Sequence, residues 1–399
     1  MRARLDALQK IQTLGESAQY DLACACGGTG RSRGPYGRWI YPSALPDGKR
    51  VFLFKVLLSN VCINDCQYCA NRAQRPFSRT SFGVDELANS FMHLWAQGRV
   101  GGLFLSSGVM RGVDVTMERM IKVVEILRLK HRFRGYIHLK ILPGARFSLV
   151  ERAVQLATRV SVNLEAPNQE RLSRIAGEKD FNEDLLLRMK WAQTIIQKDF
   201  AATTKSQTTQ FVVGAAGESD QEILGQTDRL YREMDLARVY FSAFQPVSQT
   251  PLEDQRPTPP LREHRLYQAD SLLRRYGFHV RELVFDVQGN LPAAADPKMI
   301  WARSHPEHFP VEVNKADKSQ LLRVPGIGPR SARNIVSMRT KNKFLRLEEL
   351  KSAGVWVKRA APFLIVNGRR KASLQRDLFD EIKPTLSYSS PIRGLFVPA

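Results

Sequence analysis

The feature that most constrains the fold of this chain is a regular alternation of short apolar segments with longer segments of helical periodicity. The predicted strands occupy 51–59, 102–107, 135–142, 159–164, 208–215 and 238–244. Between them, apolar residues recur at intervals of three and four positions, as in amphipathic helices. Six strand-then-helix units predict an α/β fold with a parallel sheet and external helices, either doubly wound or a partial barrel. In both architectures, functional residues collect at the carboxyl ends of the strands.

The chain divides into five predicted regions. They are a basic N-terminal extension with Cys24 and Cys26 (1–50), the strand–helix region (51–285), a connector (286–315), a small helical domain (316–371) and a basic tail (372–399). No apolar run approaches the roughly 20 residues needed to span a bilayer. The amphipathic segment 1–21 contains acids and lacks an unbroken apolar stretch, which disfavours a secretory signal. We therefore expect no membrane association and a cytoplasmic location.

The chain is strongly basic, with a formal net charge of +21. The excess is uneven, because residues 301–399 alone hold 19 Lys and Arg against 8 Asp and Glu. Such a surplus predicts a polyanionic partner. The alternative is a generally basic protein whose charge serves only solubility.

Three of the five cysteines, Cys62, Cys66 and Cys69, lie within "SNVCINDCQYCAN", directly after the first predicted strand. An odd, clustered set of cysteines does not indicate a disulfide framework and is more typical of metal binding or catalysis. A zinc site normally takes four protein ligands, commonly as two separated pairs. In a cubane iron–sulfur cluster, each of four irons needs a ligand besides sulfide, so three thiolates leave one iron open. The pattern therefore favours a reactive cluster over a structural zinc loop or buried free thiols.

The Cys-x3-Cys-x2-Cys spacing, with an aromatic residue before the last cysteine and after the first strand of a βα repeat, resembles the radical S-adenosylmethionine (SAM) superfamily. The resemblance implies a partial (β/α)6 radical SAM barrel, a [4Fe-4S] cluster and S-adenosyl-L-methionine as cofactors. It implies that one electron, supplied to the cluster by a donor, cleaves SAM to a 5'-deoxyadenosyl radical. The protein holds cluster, cosubstrate and target atom in line and excludes water.

The same resemblance implies cosubstrate contacts near the other strand ends. "GLFLSSGV" lacks the acid of the superfamily's Gly-Gly-Glu-like segment, so its contact with the methionyl amine would come from hydroxyls or backbone. "VVGAAGE" resembles the glycine motif that packs near adenine, and Lys140 is expected either to face the interior and pair with Glu165 or to extend along the surface. The predicted cofactor-binding residues are Tyr68, Ser106, Ser107, Gly108, Lys140, Asn163, Glu165, Gly214 and Gln245.

A narrower resemblance covers nearly the full length. The segments "AQYDLAC", "FKVLLSNVCINDCQYCANR", "GLFLSSGV", "TMERMI", "GYIHLKILPGA" and "SVNLEAP" and the terminal hairpin follow one another in that order. Together they resemble the bacterial family of radical SAM proteins assigned to DNA modification or repair. That resemblance implies a partner similar to uracil-DNA glycosylases.

Cys24 and Cys26 lie in the glycine- and arginine-rich stretch 21–38 and cannot complete a second cluster alone. One interpretation makes Cys24 a catalytic hydrogen donor to a substrate radical, as in spore photoproduct lyase-like members of the superfamily. The others are free thiols on a flexible segment, or a loop that contacts phosphate.

The segment "LLRVPGIGPRSARNIV" resembles a helix–hairpin–helix element. Gly326 and Gly328 allow unusual backbone dihedrals, so that amide N–H groups can face a phosphate at a helix start. The predicted DNA-binding residues are Gly326, Gly328, Arg330, Ser331 and Arg333. These contacts would be insensitive to base sequence. The following segment, 341–355, is predicted to pack as a helix and not to contact DNA; a protein-docking domain is the alternative function.

The sequence therefore predicts a radical SAM enzyme that modifies or repairs a nucleotide in DNA, presented to the barrel in a flipped state. One alternative is a radical enzyme that modifies RNA such as tRNA, and a narrower one is a spore-photoproduct-type lyase. An alternative of another class is a non-catalytic iron–sulfur protein that binds nucleic acid.

Overall fold

The structure is a computed structural model that describes residues 6–18, 39–44, 50–198 and 205–369. The chain divides into two compact units, 1–297 and 298–399, and each is described by itself. Within the described residues, no helix is long and apolar enough to cross a membrane.

The described part of the first unit contains one seven-stranded sheet with eight α-helices. The strands are β1 (Ile40–Ala44), β2 (Arg50–Leu57), β3 (Gly102–Ser106), β4 (Tyr136–Lys140), β5 (Arg159–Ser161), β6 (Ser206–Val213) and β7 (Arg238–Ala243). The helices are α1 (Ala7–Ser17), α2 (Val84–Ala96), α3 (Val113–Glu125), α4 (Phe147–Leu156), α5 (Gln169–Ser173), α6 (Leu187–Lys198), α7 (Asp220–Met234) and α8 (Pro260–Tyr276).

The strand order in space is the order in sequence, β1 to β7, and β2 to β7 are all parallel. The crossovers between parallel strands all have the same hand and the strand order runs in one direction, so the connecting helices lie on one face of the sheet. The sheet curls so that the side chains on its other face are buried against one another. The sheet is therefore a partial (β/α)6 barrel, which confirms the predicted fold class. A doubly wound sheet would reverse its strand order. Strand β1, antiparallel to β2 at the edge, was not predicted.

The helices cover the sheet with the apolar stripes that their sequences encode. In α4, for example, Val150, Ala153 and Val154 are buried at spacings of three and one, and Ser148 and Gln155 on the other side are exposed. The start of α7 is stabilised by a capping box, in which the Ser219 hydroxyl accepts from the Glu222 amide and the Glu222 carboxylate accepts from Ser219. These local signals agree with the parallel-sheet architecture.

The interior of the barrel is filled in layers. Buried Leu53 and Phe104 pack with Val51 and Tyr136 near the amino ends of the strands. Above them lie buried polar side chains, among them Lys55, whose Nζ is 4.5 Å from the ring centroid of Tyr41. This filling confines open space to the carboxyl ends of the strands.

The second unit is small and mainly helical. It contains α9 (Pro297–Ser304), β8 (Val311–Glu312), α10 (Lys318–Arg323), α11 (Pro329–Arg339), α12 (Val357–Ala360), β9 (Leu364–Ile365) and short 3-10 helices at Pro306–His308, Leu347–Lys351 and Ala361–Phe363. Strands β8 and β9 pair in parallel, Val311 with Leu364 and Glu312 with Ile365. Helix α9 lies in the segment that the sequence analysis assigned to a connector without regular structure.

Candidate active site and candidate nucleic-acid interface

The cysteine loop follows β2 and is fastened to the end of β3 by backbone hydrogen bonds. The amide of Gly108 donates to the Ser59 carbonyl at 2.8 Å, and the amide of Ile63 donates to the Val109 carbonyl at 2.8 Å. A Cβ at Gly108 would lie 2.4 Å from the Val61 carbonyl oxygen, closer than any side chain allows. Glycine at this position is therefore required for the loop to dock on the strand end.

Arg79 organises the remainder of the loop from its centre. Its Nη1 donates to the carbonyls of Asn60 at 2.8 Å and Asn71 at 3.0 Å, and its Nη2 donates to the carbonyl of Ala73 at 3.2 Å. One guanidinium thus satisfies several backbone carbonyls that a loop would otherwise leave exposed. The sequence analysis did not identify this residue, because an arginine in a polar loop has no distinguishing local pattern.

The thiols of Cys62, Cys66 and Cys69 are free of disulfides and line one cavity of about 180 Å³. Burial raises the pKa of the Cys66 thiol, and burial together with the neighbouring Cys66 raises the pKa of Cys69 to about 12. Such thiols ionise only where a cationic group compensates for the lost solvation. Lys179 is one such group beside Cys66.

The donor set fits a [4Fe-4S] cluster with one iron left open. The described residues contain no fourth cysteine. Among them, no three His, Cys, Asp or Glu side chains are arranged to bind one metal ion together. A cubane instead takes each thiolate on a different iron. The Asn71 amide lies 3.4 Å from the Sγ of Cys69, the kind of N–H···S contact that tunes such clusters.

Polar side chains from β4 and β5 meet opposite the thiols. Buried Lys140 faces the interior, which was one of its two predicted positions, and its Nζ donates to the Oδ1 of Asn163 at 2.5 Å. Glu165 has a left-handed backbone with φ of 64° and is held by hydrogen bonds on both sides to β6. Burial, together with the Glu165 carboxylate to which its hydroxyl hydrogen bonds, raises the pKa of Tyr68. A strained backbone held in place by a sheet is typical of functional sites.

The cavity brings most of the predicted cofactor residues together. It is lined by Cys62, Cys66, Tyr68, Cys69, Ser106, Ser107, Gly108, Lys140, Asn163, Glu165 and Gln245. Gly214 is not part of this lining: a Cβ there would lie 2.0 Å from the Thr258 Oγ1, so the glycine makes room for a neighbouring loop. Cys24 lies outside the described residues.

The sequence analysis missed several lining residues, among them Lys179, Gln210 and Ser242. Ser242 lies in a strand, RVYFSA, whose other residues are mostly apolar, and this interruption was a usable signal, whereas Gln210 follows four polar residues in SQTTQFVV and gave no such signal. Lys179 lies in a loop after α5 and reaches the site only through tertiary folding. Burial opposes its charge, but Cys66 and Glu165 raise the pKa of Lys179 overall.

In the second unit, a first hairpin connects α10 to α11 through 324–328. Gly326 has a φ of 88°, and a Cβ there would lie 2.7 Å from the Trp356 carbonyl oxygen. Gly328 is the N-cap of α11 and offers no side chain to the amides of the first helical turn. Arg330 and Arg333 are exposed near this helix start. A helix N-terminus without a side-chain cap, with cations beside it, suits a phosphate.

Ser331 requires a correction. Its side chain is buried, and its hydroxyl donates to the Gly354 carbonyl at 2.6 Å. The hydroxyl therefore holds the module together, and the expected phosphate contact from this side chain is wrong.

A second hairpin, at 353–356, follows the 3-10 helix Leu347–Lys351. Gly354 has a φ of 81°, matching Gly326 in the first hairpin, and Val355 is buried as Ile327 is. Hydrogen bonds connect the two hairpin regions in both directions. The Trp356 amide donates to the Gly326 carbonyl at 3.0 Å, and the Ser331 hydroxyl in α11 donates to the Gly354 carbonyl. Of the packing helix predicted for 341–355, the structure shows the short 3-10 helix Leu347–Lys351, with Leu347 and Leu350 buried, and the second hairpin follows it.

Comparisons with known proteins agree with both parts of this description. Residues 56–225 match the radical SAM superfamily, and residues 308–354 match a helix-hairpin-helix motif. No curated protein matches the chain.

Several solved structures are similar to part of this chain. Methylornithine synthase (PylB) is 16% identical, with 55% of this chain and 62% of that chain covered and a TM-score of 0.44. The FeFe-hydrogenase maturase HydG from Carboxydothermus hydrogenoformans is 17% identical, with 54% and 50% covered and a TM-score of 0.43. A radical SAM methyltransferase from Sphaerobacter thermophilus is 15% identical, with 53% and 69% covered and a TM-score of 0.37.

The domain match spans the cysteine loop and the strands that face it, and the donor set at that loop fits the cluster that the family uses. The chain spans 62% of methylornithine synthase and half of HydG. From the domain match and the site together, residues 56–225 are a radical SAM domain, a type of domain that uses a [4Fe-4S] cluster and S-adenosylmethionine, and residues 308–354 carry a helix-hairpin-helix motif.

Proposed function

We propose that this protein is a radical SAM enzyme that modifies or repairs a nucleotide in DNA. The observation that carries the radical part is the single cavity in which three free thiols face the polar ends of β3, β4 and β5. When bound, the cluster and SAM supply a 5'-deoxyadenosyl radical that abstracts hydrogen from a substrate.

The residues in and around the cavity would have three tasks: holding the cluster, binding the cosubstrate, and orienting it while excluding water. Cys62, Cys66 and Cys69 would hold three irons, and Arg79 keeps their loop in shape. Lys140 and Asn163, already hydrogen bonded to each other, offer a preorganised polar pair to the cosubstrate.

The remaining lining residues would orient the cosubstrate and keep water out. Ser106 is buried at the end of β3 and Glu165 at the turn after β5, so both supply polar atoms on a rigid scaffold. Phe244 closes one wall with a buried aromatic ring, and Tyr68 closes another beside Glu165.

The second unit supports a nucleic-acid substrate. Over 298–369 it holds 15 Lys and Arg against 5 Asp and Glu. Its matched motif, the uncapped start of α11 and the exposed arginines beside it suit contacts with phosphates, which make binding salt-dependent and independent of base sequence. DNA is favoured over RNA here by the resemblance of the full chain. We further propose an electron donor and a uracil-DNA-glycosylase-like protein as partners, and a cytoplasmic location.

The experiment that tests this function measures 5'-deoxyadenosine. The anaerobically reconstituted protein is supplied with reductant and SAM, alone, with duplex DNA or with tRNA, and the product is quantified by mass spectrometry. Product that disappears in Cys66→Ala and rises with DNA but not tRNA supports the proposal. Stimulation by tRNA alone would move the substrate to RNA. No product from an iron-loaded sample under any condition would favour a non-catalytic nucleic-acid-binding protein.

The fate of SAM separates the two kinds of radical reaction. Stoichiometric consumption of SAM would indicate a modifying enzyme, whereas recovery of SAM after turnover would indicate a lyase of the spore-photoproduct type. Deuterium transfer from labelled DNA into 5'-deoxyadenosine then identifies the nucleotide position attacked.

A further inference from the structure

The second hairpin of the C-terminal unit differs from the first at one position. Gly328, the second glycine of "PGIG", corresponds in register to Trp356 in "AGVW". Trp356 is 63% exposed, while its neighbours Val355 and Ala353 are buried. The helix–hairpin–helix match ends at 354, before this residue. A large exposed aromatic side chain therefore stands where the first hairpin has no side chain.

The backbone of the second hairpin is not arranged to bind a phosphate. The amide of Gly354 donates to the Lys351 carbonyl at 2.9 Å, that of Val355 to Leu350 at 3.1 Å and that of Trp356 to Gly326 at 3.0 Å. These amides are engaged within the unit, and α12, which follows, is a helix of only four residues. Any ligand at the second hairpin would therefore be contacted through side chains.

The side chains around Trp356 select the kind of ligand. The Arg359 guanidinium lies 5.5 Å from the centroid of the Trp356 ring, and Lys358 and Lys351 are exposed nearby in sequence. The exposed indole, with a cation beside it, complements a planar group. The threefold excess of basic residues in this unit complements an anion attached to that group. A nucleobase on its phosphodiester backbone has this chemistry, because every base presents a π face.

We propose that Trp356 is a stacking platform for an unpaired base, beside the phosphates that the first hairpin contacts. The inference rests on the proposed DNA substrate and specifies it. The C-terminal unit would then prefer DNA with an unstacked base, such as a bulge, over a continuous duplex. Such a preference suits an enzyme whose reactive cavity lies inside a barrel, since the target base must leave the stack to reach it.

The test compares two DNAs and uses the full chain. Fluorescence anisotropy measures the Kd for a matched duplex and for the same duplex with one extrahelical adenine. We expect the intact protein to bind the bulged DNA about tenfold more tightly, the scale of one base–aromatic stack. Trp356→Ala should remove this preference and leave the matched-duplex Kd unchanged, and Trp356→Phe should retain part of it. Trp95→Ala, which removes another exposed tryptophan from α2, is the matched control.

A second readout is intrinsic fluorescence. The bulged DNA should quench tryptophan emission of the intact protein and of Trp95→Phe, and quench Trp356→Phe much less. A preference absent from the intact protein, or an equal loss of affinity for both DNAs in Trp356→Ala, overturns the inference but leaves DNA binding intact. A dimer that Trp356→Ala converts to monomer also overturns it, since the indole would then contact a second copy. Failure of the intact protein to bind either DNA overturns both this inference and the proposed DNA substrate.

Discussion

Gly108 and Val61 approach each other so closely that a Cβ at Gly108 would lie 2.4 Å from the Val61 carbonyl oxygen. This contact joins the end of β3 to the loop that carries the three cysteines. The position of the cysteine loop therefore depends on a residue that has no side chain.

The first prediction concerns this contact. Gly108→Ala should displace the cysteine loop, at a cost of about 1–3 kcal/mol for overpacking, and lower the iron bound after reconstitution. Iron content and visible absorption per protein measure the loss. Gly225→Ala is the matched control, because a Cβ at Gly225 in α7 meets nothing within 4 Å. Equal iron loading of the two variants would contradict the prediction.

A second prediction concerns the pair formed by Lys140 and Asn163. Lys140→Met should leave the buried Asn163 carbonyl without this donor and lower the free energy of unfolding by about 1–3 kcal/mol. It should also weaken SAM binding, measured by calorimetry on the reconstituted protein. Lys190→Met, at an exposed position of α6, is the control. If the pair acts as a unit, Lys140→Met combined with Asn163→Ala costs less than the sum of the single changes; strict additivity would contradict this.

The third prediction concerns buried Lys298, whose Nζ donates to the Ile327 carbonyl of the first hairpin at 2.6 Å. Burial, with a contribution from Arg323, lowers the pKa of Lys298 from 10.5 to about 7. Between pH 7 and 10.5 the unfolded unit binds a proton that the folded unit does not, so stability rises with pH, by up to about 1.4 kcal/mol per pH unit. Below pH 7 both states bind the proton and this contribution is constant.

Hydrogen exchange of hairpin amides in the full chain reports this stability, and the difference between the intact protein and Lys298→Met isolates the contribution of this lysine. The difference should depend on pH between 7 and 10 and be flat below 7. A difference that is constant across the whole range would contradict the lowered pKa.

The fourth prediction concerns phosphate contacts. Arg330→Glu with Arg333→Glu should weaken binding to matched and bulged DNA alike, and lower the slope of log Kd against log salt concentration by about 2. Lys190→Glu with Arg275→Glu makes the same charge change at exposed positions of the first unit. Comparable losses in both double variants would mean that overall charge, and not the first hairpin, determines affinity.

The sequence alone was sufficient for the barrel strands and the cysteine loop. Buried strands appear as apolar, β-branched runs, and ligands on one loop lie close in sequence, so both leave local patterns. The edge strand β1 was missed because its "IYPSA" contains a proline and small polar residues, and only pairing with β2 makes it a strand. In the second unit the glycine pattern predicted the first hairpin, whereas "SAGVW" has a single glycine and did not predict the second.

What the sequence by itself determined is the class of fold, the three candidate cluster ligands and the positive charge of the C-terminal unit. Tertiary structure decided the surroundings of individual residues: Lys179 reaches the cavity from the loop after α5, Gly214 packs against Thr258 outside the cavity lining, and in the second unit Ser331 bonds to Gly354. The reason is physical. Local patterns record hydrophobic periodicity and backbone freedom, but the partner of a polar side chain is set by which strand ends and hairpins the folded core brings together.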